Sequence, residues 1–138
     1  MQVLSLSAPS QCIAGVVLLT IVTIEFGGWF LTKIVRGQVP MTEFQRNFAR
    51  AGHAHAGVLV TLALVCLVLA DATQLTGALG WVARLGVPVA AVLMSAGFFA
   101  SSAGRDVHRP NALIALLWLG ALSLAAGVVT LGIGLLVT

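Results

Sequence analysis

Few side chains in this sequence have the means to do chemistry inside an apolar environment: Glu25, His53, His55 and His108. Imidazole ligates iron, copper and zinc and exchanges protons near neutral pH. A carboxylate inside a membrane-type apolar run is costly and usually functional. Residues 46–57, RNFARAGHAHAG, carry His53 and His55 from a basic, amphipathic segment into an apolar one. Two residues apart on a helix is a rotation of about 200°, so the pair cannot grip one metal from a regular helix. The i, i+4 spacing of zinc-binding helices is absent. Helical phase aligns His53 with Arg46, Arg50 and Gly57, and His55 with Phe48, Leu59 and Leu62. One histidine is therefore expected to face the other helices, and its neighbour to face lipid headgroups or a partner subunit.

Three functions fit this set. In the leading one, His53 or His55 joins His108 from another helix to bind a haem or a transition metal, with Glu25 as a further metal ligand. The chain is then a cofactor-binding membrane protein, within reach of a subunit role in a membrane redox complex. In the second, Glu25 and one of the paired histidines belong to a proton or ion path, as in pumps and transporters, and the chain acts as an oligomer. The third is an accessory subunit without chemistry of its own. Arg50, Arg105, Asp106 and Arg109 complete the expected polar site. Sequences such as GxSxG or HExxH are absent, which excludes the familiar hydrolase arrangements. No internal repeat is visible, which counts against a repeat-built transporter.

The elements that must position these residues are membrane spans. The chain is 59% hydrophobic and only 8% charged, with mean hydropathy +1.08. Soluble domains carry about 25% charged residues, so lipid is the solvent here. Apolar runs long enough to span a bilayer fall at about 13–32, 51–70, 85–103 and 112–137. The expectation is a single domain, an all-α bundle of four transmembrane helices. The first run lacks the basic n-region of a signal peptide and reads as a retained span. Thr42 and Gln45 have capping-box spacing and start an amphipathic interfacial extension with Phe44 and Phe48 on one face, continuing into the second span. Pro88 is expected in the first turn of the third span, and Pro110 with Asn111 at the start of the fourth.

Gly120, Ser123, Gly127, Thr130 and Gly134 form a stripe of small residues on the fourth span, read as a close-packing seam against Gly97, Ser101 and Gly104. Cys12 and Cys66 lack ligand spacing and receive no role. Lys33, Arg36, Arg46, Arg50, Arg105 and Arg109, six of the seven basic residues, share one side. By the positive-inside rule that side is cytoplasmic and both termini lie outside. The basic residues flank spans, so the expected partners are the bilayer, anionic lipid headgroups and further subunits of an oligomer or complex, not nucleic acid. Glu25 lies eight residues before Lys33, about 12 Å below that boundary. Arg84, alone on the opposite side, is expected to be dispensable.

Overall fold

The computed structural model describes residues 5–137. Four helices, α1 (Ala8–Val35), α2 (Glu43–Asp71), α3 (Gly77–Ser101) and α4 (Ala115–Leu136), pack into an all-α bundle, with a 3-10 turn at Ala112–Ile114 leading into α4. Each is long and apolar enough to cross a membrane. This is the fold class read from the sequence. α3 is central, packed on α2 and α4, while α1 rests mainly on α2.

Local chemistry sets the helix ends. Ser7 caps α1. Thr42 and Gln45 form the anticipated capping box, and α2 runs unbroken from the amphipathic extension to Asp71. Asn111 Oδ1 accepts from the Leu113 amide at 2.8 Å. Gly37, at φ +70, turns the chain out of α1, a backbone conformation that favours glycine.

The start of α3 differs from expectation. α3 begins at Gly77, so Trp81 and Arg84 are helical and Pro88 lies inside the helix, not in its first turn. A proline there removes the bond to the carbonyl four residues earlier, and the packing of α3 between two helices tolerates the loss. The connector 72–76 is correspondingly short.

The core is built from small residues. Ala63, Leu67, Ala70, Ala83, Val87 and Ala90 are fully buried. The glycine seam on α4 is present and meets α3 at the expected Gly97, with Gly86 and Met94 as further partners. A Cβ on Gly127 would fall 2.8 Å from the Gly86 Cα, and one on Gly97 2.6 Å from the Leu117 amide nitrogen. Ser123 Oγ donates to the Gly86 carbonyl at 2.9 Å. Gly104 lies outside the seam: it sits beyond the helix at φ +130.

Each end of the bundle is tied by a polar clamp. At the basic end the buried Gln45 donates from Nε2 to the carbonyls of Ser102 and Gly104, both at 3.0 Å, and Thr42 Oγ1 donates to the Val107 carbonyl. At the other end Asp71 accepts from the Ser7 amide at 2.8 Å, Ser7 Oγ at 2.9 Å and Ser10 Oγ at 3.0 Å. Arg84 completes this cluster, donating to Asp71 Oδ1 at 2.8 Å, Ser10 Oγ at 3.2 Å and the Gly80 carbonyl at 3.0 Å. Arg84, expected to stand alone on this side, is therefore engaged by hydrogen bonds and an ion pair. Its guanidinium joins α1, α2 and α3.

Candidate functional site

His53 is half-buried on α2, and its imidazole lies against Gly27 and Gly28 of α1. A Cβ built on Gly27 would stand 3.3 Å from Nδ1, and one on Gly28 3.5 Å from Nε2. The two glycines thus allow the nitrogen-bearing edge of the ring to reach the α1 backbone. Among the described residues His53 has no hydrogen-bond partner. Its other side opens on a surface groove of about 620 Å³ with Gly57 and Thr61.

Glu25 is exposed on α1, two and three residues before the glycines that hold His53. At about 100° per residue, Gly28 is about 60° and Gly27 about 160° from Glu25 around the helix axis, both in the same rotational sense. Of the two ring nitrogens, Nε2, at Gly28, is therefore the nearer to the Glu25 face of α1, and Nδ1, at Gly27, lies further round the helix. Beside Glu25, Phe26 packs on Trp29 with ring centroids 5.1 Å apart, and the Lys33 ammonium sits 3.9 Å above the Trp29 ring. Such a cation–π contact holds the lysine at the end of the helix.

His55 faces α3. Its ring lies 4.9 Å from that of Phe98, continuing an aromatic column in which Phe98 meets Phe48 and Phe48 meets Phe44. Nδ1 is 2.8 Å from the Ala51 carbonyl. A carbonyl only accepts, so Nδ1 carries a proton, and in the neutral ring the lone pair is then on Nε2. Both histidines thus face neighbouring helices, α1 for His53 and α3 for His55, in place of the expected division between the bundle and lipid headgroups or a partner. A helix flanked on two sides can bury residues that phase places on opposite faces.

The remaining site residues lie apart from this pair. His108 Nε2 is 3.1 Å from Asp106 Oδ1, with both side chains largely exposed, at a crevice formed by residues 40–47 and 104–108. Asp106 adopts a left-handed φ of 53, which Asp tolerates better than most residues. Arg50, Arg105 and Arg109 are exposed. Among the described residues, no three His, Cys, Asp or Glu side chains come together in a group able to hold a metal ion.

Three features escaped the sequence reading. The Gly27–Gly28 pair was visible, but its partner across the seam was not. Asp71 and Arg84 are opposite charges flanking one short connector, a signal that could have paired them. Ser95, whose hydroxyl is buried without a partner, resembles any serine in an apolar run. No protein-family model, curated protein or solved structure matches this chain.

Proposed function

We propose that this chain handles protons at a Glu25–His53 site on the α1–α2 seam, as an oligomeric component of proton- or ion-coupled membrane transport. The observation that carries this reading is the unpartnered His53 imidazole, laid edge-on against Gly27–Gly28 one helical turn from Glu25. Histidine gains and loses protons near neutral pH, and carboxylates with histidines recur as intramembrane relays. Glu25 projects from the surface of a single chain, and a carboxylate facing hydrocarbon is unfavourable. A second copy packed on α1 would cover it. The basic end, with Lys33, Arg36, Arg46, Arg50, Arg105 and Arg109, then faces the cytoplasm and its anionic headgroups, with both termini outside.

The test is proton flux into vesicles carrying the purified protein and an internal pH dye, driven by a potassium diffusion potential. Flux above that of empty vesicles is expected, falling to background in Glu25→Gln and His53→Gln and unchanged in His108→Gln. Wild-type flux equal to that of empty vesicles rejects the proposal.

The haem- or metal-binding reading is kept as the second one, on a specific observation at His55. Metal-ligating histidines commonly donate one ring N–H to a carbonyl, leaving the other nitrogen as the ligand, and His55 does the former with Ala51. Its measurement is an absorption spectrum of the purified protein, oxidised and dithionite-reduced, with metal analysis of the same sample. A Soret band that shifts on reduction and disappears in His55→Ala would establish this reading in place of the first. A colourless, metal-free and folded protein would remove it.

A further inference from the structure

Glu25 and the groove beside His53 share one face of the molecule. A cleft between α1 and α3 is lined on α1 by Val16 and Thr23, which lie about 180° and 160° around the helix from Glu25. On α2, Thr61 of the groove stands about 160° from Ala63 and 180° from Ala70, both fully buried. Glu25 and the groove therefore turn away from α3, and His53 stands at the edge between them. Their depths match as well. α1 and α2 are antiparallel, joined by the short connector 36–42, and His53 touches Gly27 and Gly28. At about 1.5 Å per residue, Glu25 and His53 then differ in height by only about 4 Å.

We propose that two copies pair through this face about a two-fold axis along the membrane normal, so that Glu25 of each meets His53 of the other. The proton site of the preceding reading, on which this rests, is then shared between copies. Such an axis preserves depth and lays the same patch of each copy against the other. Among the described residues Glu25 has neither a hydrogen bond nor an ion pair, and the one basic residue of α1, Lys33, is held over the Trp29 ring. The surface around Glu25 is otherwise apolar, with Leu18, Val22 and Trp29 exposed. A carboxylate in that setting is unfavourable until a donor covers it. The unpartnered imidazole is that donor. Thr61, the other polar side chain of the groove, already donates to the Gly57 carbonyl at 3.0 Å. Gly57 itself has nothing within 4 Å of an added Cβ, which leaves room for a side chain of the second copy. A lipid acyl chain would fill the groove but leave both polar groups unpaired. A different subunit would have to bring both a donor and an acceptor to this depth, whereas the chain itself carries the two.

Cross-linking tests the interface without any need for proton flux. Val22 and Val58 lie at about the same height on this face and are 65% and 67% exposed, so neither substitution disturbs the core. In a Cys12→Ala, Cys66→Ala background, one tagged copy carries Val22→Cys and a differently tagged copy Val58→Cys, and membranes holding both are oxidised with copper phenanthroline. A disulfide-linked product with both tags is expected. Val92→Cys, exposed at the α1–α3 cleft, should give none when it replaces Val58→Cys. Glu25→Leu in both copies should lower the yield about tenfold, the worth of a charged hydrogen bond. Flux then separates a shared site from one within a single chain. Glu25→Gln and His53→Gln copies, each inactive alone, should recover about a quarter of wild-type flux when co-expressed equally, since half the dimers are mixed and each keeps one of two sites. A site within one chain recovers none. If the wild type carries no flux, the proton reading fails and cross-linking alone decides the interface. Absence of the two-tag product, a yield equal to that of Val92→Cys or an undiminished yield in Glu25→Leu overturns the shared site, as does a silent mixture beside an active wild type.

Discussion

The guanidinium of Arg84 meets the carboxylate of Asp71 at 2.8 Å, with side chains only 16% and 11% exposed. Ser7 and Ser10 complete the cluster, so one ion pair connects the start of α1, the end of α2 and the first turns of α3. Removing one partner of a largely buried pair leaves the other charge uncompensated.

Arg84→Gln and Asp71→Asn should therefore each destabilise the fold by about 2–3 kcal/mol, a discounted value because the pair is partly solvated. Cys66 is buried and Cys12 exposed, so in a Cys12→Ala background a thiol-reactive dye reports thermal unfolding through Cys66 alone. A wild-type midpoint for Arg84→Gln would show that the cluster contributes little.

Gly86→Ala and Gly127→Ala should both loosen the α3–α4 seam, because each new methyl meets backbone of the facing helix. Overpacking of this kind costs about 1–3 kcal/mol. Gly132→Ala, on the same helix but with nothing within 4 Å of the added carbon, should leave the melting point unchanged or slightly raised. Equal behaviour of Gly127→Ala and Gly132→Ala would contradict the seam.

Gln45→Ala should free the connector between α3 and α4. The substitution removes both bonds to the Ser102 and Gly104 carbonyls and half of the capping box, a loss of about 1–3 kcal/mol. Hydrogen exchange over residues 102–111 should speed up, while exchange in the core of α3 stays slow. Unchanged protection of that loop would assign its order to another contact.

Gly27→Val separates position from stability at the proposed proton site. A Cβ there already stands 3.3 Å from His53 Nδ1, so a branched side chain must displace the ring. Proton flux should fall as far as in His53→Gln, with the Cys66 melting curve close to wild type. His55→Phe preserves the stack on Phe98 and should retain flux. Full flux in Gly27→Val would mean that the ring's seat on α1 is unimportant.

Composition and hydropathy were enough to establish four apolar helices, because uninterrupted apolar runs of about 20 residues satisfy their backbone in lipid as helices, whereas barrel strands are about half as long and alternate in polarity. Capping chemistry was equally legible: Thr42 with Gln45, and Asn111, act over three residues or fewer, and such local bonds are written in local sequence. The glycine stripe of α4 announced a packing seam. Gly97 was legible as a partner on α3, whereas Gly86 and Met94 were decided only by how α3 and α4 register against each other. The same holds for the charges. Asp71, Arg84, Ser7 and Ser10 are up to 77 residues apart, and nothing along the chain says that the two serines meet the Asp71–Arg84 pair. The histidines show the division best. Helical phase put His53 and His55 on opposite faces of α2, and the tertiary arrangement gave each face its own helix, α1 with Gly27 and Gly28 for one and α3 with Phe98 for the other. Periodicity encodes which way a side chain points, whereas what it meets depends on contacts between distant segments.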